Sequence, residues 1–152
     1  MKKRWVLLFP MLAMVISGCN KSTNNELEYG TYYQWNGSAE EIKITSETTE
    51  YRTVEITSSK VIVNYYNGYV LKTTERPYFI RGNSIFAGII KDGEEKSDGE
   101  HYQYLYDFGE GYLKYIGGYI SMYGSASYYR FYINKSFAKK LGVTIIDEVS
   151  EK

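Results

Sequence analysis

The chain of 152 residues contains one cysteine, Cys19, and one histidine, His101. A single thiol allows no intrachain disulfide and no cysteine-rich zinc or iron–sulfur site. His-Glu-x-x-His and Cys-x-x-Cys spacings are absent, so no metal is expected. There is no Gly-x-Ser-x-Gly elbow to present a nucleophilic serine. Gly109-x-Gly111 lacks the third glycine of a dinucleotide fingerprint, and no lysine follows a glycine as in a P-loop. The run from Asp92 to Glu100 alternates acids, but Lys96 falls where a calcium loop needs an oxygen ligand. A solvated loop is the simpler reading. His101 has no partner base, acid or nucleophile legible beside it. Carboxylates distant in sequence could still meet in a cleft. The expectation is a protein that is not an enzyme and carries no cofactor.

Long apolar runs are also missing. The longest, Trp5 to Ile16, spans twelve residues, too few for a membrane-crossing helix but enough for the core of a signal peptide. Lys2, Lys3 and Arg4 precede it, and Ser17 and Gly18 follow it. The four residues Ile16-Ser17-Gly18-Cys19 then resemble the lipobox of bacterial lipoprotein precursors. The resemblance implies a diacylglyceryl group on the Cys19 thiol and cleavage just before it. Residues 1–18 are the expected signal peptide. Residues 19–26 are the lipidated N-terminus and a polar tether, and 27–152 form a single domain. Two acyl chains hold a protein stably at a membrane where one does not. The implied address is the extracytoplasmic face of a cell membrane. Asn20 stands where an inner-membrane retention signal would place aspartate, so a host with two membranes would carry the chain on the outer one. With the thiol acylated, a Cys–His nucleophile is excluded as well.

Charge excludes further classes. Three basic residues and no acid precede Cys19, so the chain from Cys19 onward carries a formal charge of −3. Nucleic acid is not an expected partner of such a domain. Neither is a polybasic contact with lipid headgroups. The membrane is reached through lipid on Cys19 alone.

What the chain has in abundance is β-forming sequence. Runs rich in Ile, Val, Thr and Tyr recur between Gly, Asn, Asp and Ser. Strands are expected at 28–35, 41–45, 53–57, 60–66, 69–74, 78–81, 84–90, 101–108, 112–116, 119–123 and 128–133. Ile42 and Ile44 alternate with Glu41 and Lys43, and Val54 and Ile56 with Thr53, Glu55 and Thr57, as in an antiparallel sheet with one buried face. Asn67-Gly68 predicts a two-residue hairpin turn, and Gly109-Glu110-Gly111 a second hairpin. Ser136 is the expected cap of a short helix ending at Gly142, followed by a last strand at 143–146.

Many short strands and one late helix predict an all-β domain. Its architecture would be an antiparallel barrel, closed or nearly closed, with one short C-terminal helix; a β-sandwich is the alternative. Gly30-Thr31-Tyr32-Tyr33 at the first strand, up-and-down hairpins and the late helix resemble small calycin or lipocalin-like lipoproteins. Tyr32 stands where lipocalins carry the tryptophan of Gly-x-Trp. The resemblance implies a barrel whose mouth holds a ligand.

All 18 tyrosines follow Cys19. Tyr102, Tyr104 and Tyr106 occupy alternate positions and so share one face of a strand. Together with Tyr112 and Tyr115 they are the candidate ligand-lining residues. Tyrosine offers a stacking face and a hydroxyl at low rotamer cost. That suits a small molecule, a glycan, a peptide or an amphipathic ligand. The competing reading makes these rings sheet core or cross-strand pairs. A ligand-binding lipoprotein is therefore the expected function. An immunity or inhibitor lipoprotein that contacts another protein is the alternative.

Overall fold

The computed structural model describes residues 25–91, 94–96 and 104–149. Cys19 and its lipobox, His101, Tyr102 and most of the Asp92–Glu100 loop lie outside the described residues. The strands in chain order are β1 (Gly30–Trp35), β2 (Glu41–Ile44), β3 (Tyr51–Ile56), β4 (Lys60–Tyr66), β5 (Leu71–Arg81) and β6 (Ser84–Ala87). They continue as β7 (Ile89–Lys91), β8 (Glu94–Lys96), β9 (Tyr104–Gly109), β10 (Tyr112–Ser121) and β11 (Gly124–Asn134). Helix α1 (Lys135–Leu141) and strand β12 (Thr144–Asp147) complete the described elements.

Eight strands close an antiparallel barrel in the order β1-β11-β10-β9-β6-β5-β4-β3. Closure comes from β1, which pairs with β3 on one side and β11 on the other. It leaves the barrel without a free edge, which a chain this rich in β formers would otherwise expose. The strands follow one another as a meander, interrupted by β2 and by the β7–β8 hairpin.

Alternation fills the interior. Tyr32, Val54, Ile56, Val61, Val63, Ile85, Ala87, Tyr106, Phe108, Leu113 and Tyr132 form one buried cluster. One end of the barrel is sealed by the segment before β1. Leu27 packs against the cluster. Tyr32 donates from its hydroxyl to the Glu28 carbonyl at 2.7 Å, and Tyr78 donates to the Thr57 carbonyl at 2.8 Å.

A second layer lies outside the wall. Tyr33 and Ile133 face each other across β1 and β11 and point away from the interior. Against this outer face sit α1 and a two-stranded parallel sheet of β2 and β12. Their apolar side chains join Ile133, Ala138, Val143, Trp35, Ile42, Tyr112 and Phe137 in a separate cluster. The buried Asp147 carboxylate accepts from the Tyr33 hydroxyl at 2.9 Å and ties this layer to β1.

Several local expectations are corrected. The Asn67-Gly68 hairpin has a four-residue loop, because Tyr66 pairs with Leu71. The Asn67 side chain accepts from the amides of Tyr69 and Val70, which holds these residues in the turn rather than in the strand. The expected strands 69–74 and 78–81 are one continuous strand, β5. Pro77, which lacks an N–H, sits where the strand changes partner: Lys60 of β4 pairs with Pro77, and Tyr78 pairs with Ala87 of β6. Likewise 112–116 and 119–123 are one strand that carries Gly117 and Gly118 through the ladder with β11. Alternation in β2 reflects packing on the outer layer, since its partner is the parallel β12. The helix is capped by Asn134, not Ser136; Asn134 Oδ1 accepts from the Phe137 amide at 2.8 Å. Its Gly142 terminus holds, in left-handed conformation with φ 73°.

Candidate functional site

Opposite the sealed end, the barrel opens on a cavity of about 270 Å³. It is built by inward positions on β3, β4, β9, β10 and β11. Tyr104 and Tyr106 come from β9, as their alternate spacing requires, and Tyr115 comes from β10 opposite Tyr106. Tyr128, Arg130 and Tyr132 project from alternate positions of β11. Arg52 and Val63 complete the lining from β3 and β4.

The rings form one connected network. Tyr106 and Tyr115 have centroids 5.4 Å apart, and Tyr104 lies 6.3 Å from Tyr106 and 6.2 Å from Tyr115. Tyr132 meets Tyr106 edge-on at 6.4 Å, and Tyr128 lies 5.9 Å from Tyr115. These separations and tilts are those at which aromatic pairs attract beyond their area burial. Tyr106 is 1% exposed, yet it lines the cavity, and its hydroxyl makes no hydrogen bond with another described residue.

The environment separates the phenols chemically. Burial pushes Tyr106 well above the ordinary tyrosine value, with the neighbouring Tyr132 hydroxyl adding to the effect. Burial raises Tyr132 as well, against the opposing pull of Arg130 and Arg52. Burial, and then donation to Tyr128, push Tyr115 up to about 12. Tyr128 moves the other way, because accepting that hydrogen bond favours its anion. The mouth therefore holds three phenols that burial keeps protonated beside Tyr128, which gives up its proton more readily than they do.

Two guanidinium groups stand among these rings. Arg52 lies 3.8 Å from the centroid of the Tyr65 ring, its cross-strand neighbour on β4. Arg130 lies 4.8 Å from the Tyr128 centroid and 5.7 Å from that of Tyr115. Neither arginine pairs with a carboxylate among the described residues.

Of the five expected lining residues, the structure brings Tyr104, Tyr106 and Tyr115 together. Tyr102 lies outside the described residues. Tyr112 is not in the mouth. It is an odd number of positions from Tyr115, so it faces the outer wall, where its ring lies 5.9 Å from Phe137 in the second cluster. Arg52, Tyr128, Arg130 and Tyr132 are the residues that sequence reasoning missed as a site. The signal for three of them was present, since Tyr128-x-Arg130-x-Tyr132 has strand period.

The described residues contain no cluster of His, Cys, Asp and Glu able to hold a metal ion. None of their helices is long and apolar enough to cross a membrane. Comparison with family models, curated proteins and solved structures returns no match.

Proposed function

We propose that this chain is a membrane-anchored, extracytoplasmic lipoprotein that binds a small ligand in the tyrosine-lined mouth of its barrel. The observation that carries the reading is the 270 Å³ cavity ringed by Tyr104, Tyr106, Tyr115, Tyr128 and Tyr132. At the sealed end Leu27, Val61, Ile56 and the fully buried Tyr32 pack together, whereas the rings at the other end leave this space open. The cavity falls just below the range of about 300–1,000 Å³ usual for drug-sized ligands, which suits a compact molecule. A closed eight-stranded meander with one helix outside the wall agrees with the calycin-like resemblance. The lipobox at Ile16–Cys19 supports the anchor. Leu27 and Glu28 lie at the sealed end, so a tether from Cys19 would join the domain on the side opposite the mouth.

One observation favours a second reading, a protein-interaction module. The tips of the β4–β5 and β10–β11 hairpins stand at the mouth end and expose Tyr69, Val70, Met122 and Tyr123. Solvent-facing aromatic and methionine side chains of this kind mark protein-contact surfaces.

Native mass spectrometry of the tagged full chain, purified from an envelope extract, separates the two. A small bound mass that is lost in Tyr104→Ala, with the Tyr69→Ala chain unaffected, supports the mouth. A bound protein lost in Tyr69→Ala or Met122→Ala, with Tyr104→Ala unaffected, replaces it with the second reading.

A further inference from the structure

We propose that the barrel mouth selects a small aromatic oxyanion, its charged group held by Arg52 and Arg130 and its flat body laid against the tyrosine rings. This deepens the small-ligand reading above and rests on it.

Both guanidinium groups line the same cavity, from β3 and β11, the two strands that flank β1. Among the described residues, no aspartate or glutamate lines it. The two positive charges reach the cavity interior, since both act on the Tyr128 and Tyr132 phenols. The chain after Cys19 is net acidic as a whole, whereas the charged residues among those that line the mouth are the two arginines. A polyanion needs an extended basic stripe; an enclosed pair of arginines suits a single compact anion.

The aromatic contacts sharpen this. Arg52 lies over the face of Tyr65, and Arg130 lies close to the faces of Tyr128 and Tyr115. A ring meets the face of the planar guanidinium and leaves its N–H donors around the edge. Those donors are the ones that grip a carboxylate or phosphate in two-pronged fashion. The rings hold the arginines in place; Arg130 gives one donor to the Tyr128 hydroxyl, and a guanidinium has further N–H groups beyond that one. The hydroxyl of Tyr106, directed at the cavity from a buried ring, offers a further donor kept neutral by burial.

Carboxylates and phosphate monoesters share this chemistry, and the test separates them. The full chain in non-ionic detergent micelles is titrated calorimetrically with benzoate, phenyl phosphate, benzamide and benzylamine. Benzoate or phenyl phosphate is expected to bind at least about tenfold more tightly than the neutral and cationic probes, and the tighter of the two names the anion. Arg52→Gln and Arg130→Gln are each expected to weaken that anion roughly 10- to 100-fold, the range for a lost hydrogen bond to a charged group. Added salt weakens it too, while benzamide responds to neither change. If one glutamine variant does not fold, the other and the salt series carry the test. Equal or tighter binding of benzamide or benzylamine overturns the proposal, as does anion binding indifferent to both arginine variants. Benzamide binding as tight as that of either anion, and lost in Tyr104→Ala, would overturn the anion assignment and leave the ligand-binding mouth standing. Binding of none of the four also overturns the anion assignment, and the native mass spectrum then decides the mouth on its own.

Discussion

Gly117 of β10 faces Tyr128 across the ladder with β11, and the tyrosine ring lies over the glycine where a side chain would otherwise stand. A methyl group at Gly117 would come within 2.7 Å of Tyr128 Cε2 and 2.8 Å of Tyr115 Cε1. Here the absence of a Cβ makes room for two rings of the mouth. Gly117→Ala is therefore expected to displace Tyr128 and cost about 1–3 kcal/mol, the usual penalty of overpacking. Urea unfolding measures the loss, and near-ultraviolet circular dichroism reports the moved rings. Adding Tyr128→Ala removes the obstacle, so the double variant should lose less than the two single changes summed. Strict additivity would show that the ring is not what excludes the methyl group.

Asn134 joins three parts of the sealed end. Its Oδ1 caps α1, its Nδ2 donates to Glu28 Oε2 at 2.7 Å, and its amide donates to the Gly111 carbonyl at 2.9 Å. Gly111 adopts φ 73° and lies so close that a Cβ there would come 2.8 Å from Asn134 Oδ1. Asn134→Ala removes the cap and the bond to Glu28 together. The cap alone is worth about 1 kcal/mol, and a hydrogen bond to a charged group roughly 1.5–3 kcal/mol. A loss of about 2–4 kcal/mol in denaturant unfolding is expected. Ser136→Ala, at the position the sequence suggested as the cap, should cost less than about 0.5 kcal/mol, as for an ordinary surface change.

The difference between Ser136 and Asn134 shows where sequence pattern stops. The strands were legible because Val54, Ile56, Val61 and Val63 alternate with polar neighbours, and alternation reports one buried face. The Tyr104–Tyr106 stripe was legible for the same reason. Tyr112 misled because it is near Tyr115 in sequence, although their odd spacing alone places them on opposite sides of the wall. What lay beyond the pattern is long-range pairing. Thr144 meets Glu41 across about a hundred residues, and β1 meets both β3 and β11. No local signal encodes these partners. Arg52 and Arg130 were hidden because an arginine on a half-buried strand reads as the solvated position unless the strand's neighbours are known.

Alkaline pH should weaken the fold. Tyr32, Tyr106, Tyr115 and Tyr132 all have raised values in the folded protein, chiefly through burial. In the unfolded chain they lose protons near pH 10. Above that pH the unfolded state holds fewer protons than the folded one, so stability falls as pH rises. It is fully present below pH 10, and the Tyr115 contribution is lost through about pH 12. Tyr128 is lowered and opposes the trend. Urea unfolding from pH 8 to 12 is expected to show a declining midpoint. Tyr32→Phe should flatten the decline, because Tyr32 is fully buried and its hydroxyl donates to Glu28. A midpoint that does not move between pH 9 and 12 would mean that these phenols open to water in the native state.

The proposed anchor makes the most direct prediction. If the Cys19 thiol receives the lipid, Cys19→Ala removes the acyl attachment and the residue before which the signal is cut. The precursor is then expected to keep residues 1–18 and run larger than the mature wild-type chain. Mass spectrometry of the wild type should find an added diacylglyceryl group on the N-terminal cysteine. Cys19→Ser separates thiol chemistry from size, and it should fail in the same way because a hydroxyl does not replace the thiol. Detergent partitioning gives a second readout. A processed wild type held by its two chains should enter the detergent phase, and a domain whose described helices include no membrane-crossing candidate has no helical substitute for them among those residues. Wild-type processing and the same detergent partitioning in both variants would remove the lipid from the proposal. The tyrosine-lined mouth would then have to be judged without a membrane tether.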